Sequence, residues 1–158
     1  MTNGMPIELE IVRTLNAPPP LVWKAWSVKE NIEQWWCPKP WQAEFIAFDL
    51  RPGGAFDCHM RGPEGAEHTV YASILEVVPQ ERIVFTDLLT GGWRPAAEPF
   101  LGFAAIITME ADGERTRYRA RALHKTPEDA KKHDEMGFRD GWGKAIGQLE
   151  EVARSFSP

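Results

Sequence analysis

The chain lacks long apolar runs, an excess of basic charge and a cysteine framework. Its 158 residues carry a net charge of −5, so nucleic acid is not an expected partner. No run of about 18 apolar residues occurs and no signal-peptide pattern opens the sequence, which predicts a cytoplasmic protein without membrane association. The two cysteines, Cys37 and Cys58, are too far apart for a zinc knuckle, and we expect free thiols and no metal site.

Catalytic signatures are missing as well. The sequence contains no nucleophile elbow, no phosphate-binding loop, no dinucleotide fingerprint and no serine-histidine-acid order. It therefore predicts no catalytic residue and no cofactor. With 43% apolar residues the chain can bury one sizeable core, which predicts a single domain over residues 1–158.

Alternation of apolar and polar residues predicts an antiparallel sheet. Residues 7–15 alternate and form a first strand, and a proline-rich stretch then leads into two short helices over 21–26 and 29–35. From residue 43 onward the period is two and turn signals recur at regular intervals, which is typical of a meander. Its strands are expected at 43–50, 55–61, 67–78, 82–89, 103–111 and 115–123.

A long C-terminal helix is predicted from Thr126 to about Ser155. Thr126 can cap the first turn, which begins with a proline and two acidic residues. Apolar residues at three- and four-residue spacing form one face, which must pack on the sheet. Four glycines interrupt this helix, and two explanations are open: close packing of the backbone, or a bend near Gly137.

Six segments resemble one known family. They are VWKAW at 22–26, QWW at 34–36, DLRPGG at 49–54, MRGP at 60–63, LEVVPQER at 75–82 and MGFRDGW at 136–142. On these segments the chain resembles the START-like (SRPBCC) superfamily and, within it, the branch named for the activator of the heat-shock protein 90 ATPase. The resemblance implies an α+β helix-grip fold, in which a curved antiparallel sheet wraps around a long C-terminal helix and two short helices follow strand one.

A helix-grip fold encloses a cavity between the sheet and the C-terminal helix, and strand alternation predicts which side chains line it. Seven tryptophans exceed what the packing of a small domain usually requires, which favours a cavity for a small hydrophobic or aromatic molecule. Side chains that simply fill the core are the alternative. The predicted lining consists of Phe56, Cys58, Met60, Tyr71, Phe85, Phe103 and Tyr118 from the sheet, and Phe138, Trp142 and Ile146 from the helix.

Histidines supply two further candidates. A four-residue loop over 62–65 would pair His59 with His68, so that both imidazoles and Asp57 share one face of the sheet. Such a group can bind a metal or transfer protons, but alternation places it on the solvated outer face, and a register shift of one residue would move it. His133 is expected to face water, because it lies about 180° from Trp142 around a continuous helix.

Three hypotheses on function follow. The first is non-enzymatic binding of a small hydrophobic molecule, and the second is an enzyme of cyclase or hydrolase type, which requires an ionisable group that points into the cavity. The third, implied by the family name, is a chaperone ATPase co-activator. The family's chaperone activators resemble a two-domain arrangement, and we expect no such second domain here. The sequence leaves the identity of the ligand and the oligomeric state open, a homodimer included.

Overall fold

The elements follow the predicted order, but the strand expected over 67–78 and the C-terminal helix are each divided in two, and a short hairpin over 89–95 is additional. The computed structural model describes residues 7–156. Its first half contains β1 (Glu8–Leu15), α1 (Pro19–Ser27), α2 (Lys29–Ile32), β2 (Gln42–Phe48), β3 (Phe56–Arg61), a 3-10 turn (Pro63–Gly65), β4 (Glu67–Val70) and β5 (Ser73–Val78). The second half contains β6 (Arg82–Thr86), β7 (Leu89–Thr90), β8 (Arg94–Pro95), β9 (Phe103–Asp112), β10 (Arg115–His124), α3 (Pro127–Glu135) and α4 (Phe138–Ser155).

β7 and β8 pair only with each other, and the other strands form one curved antiparallel layer made of two sheets. Five strands lie in the order β1-β10-β9-β6-β5 and three in the order β2-β3-β4. A bridge between Ala55 and Ser73 joins the two sheets, and next to it the Phe56 N–H donates to the Ala72 carbonyl at 3.0 Å. Buried residues of α4, such as Leu149, pack into the same hydrophobic core as the inward side chains of the strands. The predicted α+β helix-grip class is therefore confirmed.

The C-terminal helix is not continuous, although the prediction treated it as one element. α3 and α4 meet at Gly137, whose φ of 96° lies in the left-handed region that a residue with a Cβ adopts only at a cost. The structure contains both features that could explain the glycines: the bend at Gly137, and at Gly143 a close approach to β1, where a Cβ would lie 2.7 Å from a guanidinium nitrogen of Arg13. At Gly141 and Gly147 a Cβ would meet no atom within 4 Å, so close packing does not require glycine there.

The strand predicted over 67–78 is two strands that belong to different sheets. β4 ends at Val70 and β5 begins at Ser73, with Tyr71 and Ala72 between them. The turn before β4 is also one residue longer than predicted, because the Gly62 N–H donates to the carbonyl of Ala66 at 2.7 Å and closes a five-residue loop. The pairing of β3 with β4 is therefore shifted by one residue from the predicted register, so that Arg61 pairs with Glu67.

None of the helices in the described range is both long and apolar enough to cross a bilayer.

Candidate functional site

A cavity of about 260 Å³ lies between the concave face of the sheet and α4. Strands β3, β6, β9 and β10 form one wall, and four residues of α4 form part of the opposite wall: Gly141, Trp142, Ala145 and Ile146. Because side chains alternate along a strand, the inward set of each strand reaches the cavity while the intervening polar residues point away. Eight of the predicted residues line it: Phe56, Cys58, Met60, Phe85, Phe103, Tyr118, Trp142 and Ile146.

Two predicted residues lie elsewhere. Tyr71 is 54% exposed, because its neighbours Val70 and Ala72 occupy the inward positions and the alternation turns Tyr71 outward. The prediction that Tyr71 faces the cavity is wrong. Phe138 is buried but is not among the lining residues; its ring contacts that of Trp142, which does line the cavity, at 4.7 Å.

An aromatic cluster forms part of the cavity wall. Trp26 of α1 stacks on Phe56 with a centroid distance of 6.0 Å, and Trp36 meets the same ring edge-on at 5.4 Å. Phe85 contacts Phe56 at 5.1 Å. Local periodicity does not predict that Trp26, Trp35 and Trp36 line the cavity, because the orientation of the two short helices depends on packing. The tryptophan surplus was the signal that pointed to them.

One hydrogen bond inside this cluster orients a polar group at the cavity wall. The indole N–H of Trp26 donates to the hydroxyl oxygen of Tyr118 at 2.9 Å. Burial raises the pKa of Tyr118, so its hydroxyl stays protonated, and that proton finds no acceptor within residues 7–156. Tyr118 lines the cavity, where its hydroxyl can donate to a guest molecule.

His133 also lines the cavity, contrary to the prediction that it faces water. It is only 5% exposed, and its Nδ1 lies 2.8 Å from Nε2 of His124. The prediction fails because the break at Gly137 separates His133 from Trp142, so an angle measured along one continuous helix does not apply. Burial and the neighbouring His124 lower the pKa of His133 to about 4, which keeps its ring neutral at pH 7.

Asp87 is the carboxylate of the cavity wall, and it has a structural role. It is 2% exposed and accepts hydrogen bonds from the backbone N–H groups of Leu101, Gly102 and Phe103 at 2.6, 3.1 and 2.9 Å. These bonds hold the segment that contains Phe100 and Leu101, two lining residues, against the end of β6. Asp87 thus positions one rim of the cavity.

The two cysteines also lie at the cavity, as free thiols. Burial raises the pKa of Cys37 to about 11 and that of Cys58 to about 12. Both groups therefore remain protonated at neutral pH, and neither is an activated nucleophile.

The predicted cluster of Asp57, His59 and His68 does not form. β3 and β4 pair Met60 with His68, one residue away from the predicted register, so His68 lies on the face opposite His59. His59 instead contacts the Thr69 hydroxyl at 2.7 Å through Nδ1 and Glu67 at 3.1 Å through Nε2. No group of three or more metal-ligating side chains occurs within residues 7–156.

The family model described as "Activator of Hsp90 ATPase homolog 1-like protein" matches residues 16–154. The chain belongs to this family. The resemblance on the six sequence segments is thereby confirmed, and the Hsp90 ATPase activator homolog family accounts for nearly the whole length of the chain. No sequence among the curated proteins matches it.

Solved structures similar to this family member share its fold over nearly the whole chain. A crystal structure from Nitrosomonas europaea is 38% identical, with a TM-score of 0.89, covering 94% of this chain and 95% of that chain. A solution structure from Arthrobacter aurescens is 25% identical, with a TM-score of 0.80 and coverage of 96% and 88%. An AHSA1-like protein from Aeromonas hydrophila, 16% identical, has the same fold with a TM-score of 0.69 and coverage of 93% of both chains.

Proposed function

We propose that this member of the Hsp90 ATPase activator homolog family binds a small hydrophobic or aromatic molecule in the cavity between the sheet and α4, without converting it. The observation that carries the proposal is that the aromatic side chains leave about 260 Å³ unfilled. Protein interiors are packed as densely as organic crystals, so the apolar side chains around an unfilled space of this size lack packing contacts that a guest would supply. Retaining such a cavity is reasonable where a guest occupies it.

The volume and lining limit the guest to a compact apolar molecule. An apolar cavity of about 150 Å³ accommodates benzene, so a space of this size suits one to two fused rings or a short branched chain. The aromatic side chains around it favour a ring that can pack edge-on or offset against them, and there are nine: Trp26, Trp35, Trp36, Phe56, Phe85, Phe100, Phe103, Tyr118 and Trp142. Few polar groups face it, which is typical of ligand pockets.

Two glycines of α4 provide a matched test. Gly141 lines the cavity and Gly147 does not, and a Cβ at either position would meet open space. We expect naphthalene and indole to quench the fluorescence of the cavity tryptophans and to raise the melting temperature of the wild-type protein. Gly141→Leu should weaken binding by at least about tenfold because the new side chain enters the cavity, whereas Gly147→Leu should leave it unchanged. Absence of binding by any probe, or equal effects of both substitutions, would contradict the proposal.

A second candidate, an enzyme acting within the cavity, is favoured by one observation. His133 is an ionisable group in the cavity wall with a shifted pKa, which is what the enzyme hypothesis requires. Neither cavity thiol is activated, and a neutral histidine with a pKa of about 4 is a weak base. Mass spectrometry of a bound probe after prolonged incubation separates the two: recovery of the unchanged probe supports binding alone, and a product that His133→Phe fails to form supports an enzyme.

Stimulation of a chaperone ATPase stays a prediction from the family resemblance. A mixing assay that measures ATP hydrolysis by an Hsp90-type chaperone with and without this protein tests it directly.

A further inference from the structure

The geometry points to Nε2 of His133 as a fixed hydrogen-bond acceptor in the cavity wall, and so to a ligand with an apolar ring body and one hydroxyl or N–H donor. The inference rests on the proposed function and specifies the class of ligand. It is carried by a chain of hydrogen bonds that ends at the cavity.

This series of hydrogen bonds begins at the backbone carbonyl of Ile7, which fixes which atom is the donor. The backbone carbonyl of Ile7 can only accept, and Nδ1 of His124 lies 2.9 Å from it, so this nitrogen must carry a proton. In a neutral imidazole the other nitrogen is then an acceptor. Nε2 of His124 is therefore the acceptor in its 2.8 Å contact with Nδ1 of His133, and Nδ1 of His133 is the donor.

The same logic leaves Nε2 of His133 with a free lone pair. This atom makes no hydrogen bond to another residue in the range 7–156, and His133 lines the cavity. The rings of Phe103, Phe138 and Trp142 lie 5.4, 5.1 and 5.9 Å from the imidazole, so the acceptor stands in apolar surroundings where a hydrogen bond is strengthened. A ligand that supplies a donor at this point satisfies it.

The other polar groups of the wall do not substitute for His133. The Asp87 carboxylate already accepts three backbone hydrogen bonds, at Leu101, Gly102 and Phe103. Tyr118 presents a hydroxyl proton and therefore selects an acceptor on the ligand rather than a donor. The two anchors consequently recognise opposite hydrogen-bonding groups, and ligands that carry only one of them distinguish which anchor dominates.

Three probes that share one ring system test the inference. Naphthalene has no polar group, 2-methoxynaphthalene offers only an acceptor, and 2-naphthol adds a donor. At pH 7.5 we expect the wild-type protein to bind 2-naphthol about tenfold more tightly than either of the others, as one hydrogen bond to a buried acceptor predicts. His133→Phe should abolish this preference and leave the affinity for naphthalene within about twofold. His59→Phe, the same substitution on the outer face of β3, should change nothing.

The outcomes separate this inference from the proposed function. If none of the probes binds, the proposed function fails and the inference with it. If all three bind equally, or if 2-methoxynaphthalene binds as tightly as 2-naphthol, the cavity binds ligands but His133 is not the acceptor that selects them, and the inference alone is overturned.

The tautomer itself can be measured without a ligand and without a variant. Nitrogen-15 NMR of the wild-type imidazoles should show a protonated Nδ1 and an unprotonated Nε2 in both His124 and His133. The reverse tautomer at His133 would overturn the inference. In His124→Phe, where the acceptor for Nδ1 is lost, the His133 signals should move toward a mixture of the two tautomers, whereas in His59→Phe they should not move.

Discussion

The indole N–H of Trp26 and the hydroxyl oxygen of Tyr118 are joined by a 2.9 Å hydrogen bond between α1 and β10, 92 residues apart in the chain. Both side chains are buried. This bond satisfies the indole donor where water cannot reach it, and it fixes the short helix onto the sheet at the cavity wall.

Removal of the Tyr118 hydroxyl should destabilise the protein. Tyr118→Phe leaves the buried N–H of Trp26 without a partner, which costs about 1–3 kcal/mol of unfolding free energy. Tyr71→Phe, at the exposed tyrosine, should change the unfolding free energy by less than about 0.5 kcal/mol. Urea unfolding followed by tryptophan fluorescence measures both variants, and an equal effect of the two substitutions would show that the Trp26–Tyr118 bond contributes nothing.

Glycine-to-alanine substitutions at Gly141 and Gly137 should change the unfolding free energy in opposite directions. Gly141→Ala is expected to raise the unfolding free energy by about 0.5–1 kcal/mol, since the position is helical and its Cβ meets open space. Gly137→Ala should lower it by about 1–2 kcal/mol because φ there is 96°. Chemical denaturation measures the unfolding free energy of both variants. A Gly137→Ala variant more stable than the wild type would mean that the break between α3 and α4 is not retained in solution.

Acidification should cost stability through His133. Its pKa is lowered from 6.5 to about 4 in the folded state, so between these values the unfolded chain binds more protons than the folded one. Unfolding free energy therefore falls as the pH decreases from about 6.5 to about 4, and this residue contributes about 2–3 kcal/mol to the loss. The titratable groups that act on this ring are the carboxylates of Asp87 and Asp134 and the imidazole of His124.

The contribution of His133 can be isolated by comparing two proteins at two pH values. The loss of unfolding free energy between pH 7 and pH 4.5 should be smaller in His133→Phe than in the wild type, whatever the substitution does at pH 7 alone. Equal losses in the two proteins would contradict a lowered pKa at this site.

The cavity thiols should be unreactive in the folded protein. Cys37 and Cys58 are buried, and their pKa values of about 11 and about 12 leave almost no thiolate at pH 8. An aromatic disulfide reagent should modify both within seconds in guanidinium chloride and neither over minutes in buffer. Rapid modification of one thiol in buffer would reveal a route from solvent into the cavity.

The lining residues on the strands were predictable because the pleat imposes a period of two wherever a strand is continuous. Phe56, Cys58 and Met60 were placed on one face on that ground alone, and all three line the cavity. The assignments of Tyr71 and His68 are wrong for one shared reason. The turn before β4 is one residue longer than predicted, which reverses the face of the residues that follow it and turns Tyr71 outward.

Helical periodicity could not predict where the His133 side chain lies, for a different reason. The period relates two side chains only within one uninterrupted helix, and Gly137 stands between His133 and Trp142. The glycine itself was visible in the sequence, and a bend there was one of two explanations. To see that Gly137 marks the bend while Gly143 marks a close approach to Arg13 requires the backbone angles and the packing of α3 and α4 against the rest of the molecule.

The break at Gly137 divides the residues that would contact a guest between two helices. α3 carries His133, the polar anchor. α4 carries Gly141, Trp142 and Ile146, which line the apolar part of the cavity. The His133 ring packs against Phe138 and Trp142 of α4, so these two residues also hold the polar anchor. Substitutions at Gly141 or Ile146 should therefore change the shape of the cavity while the hydrogen-bonding group keeps its place, and a redesign can treat shape and polarity separately at those positions.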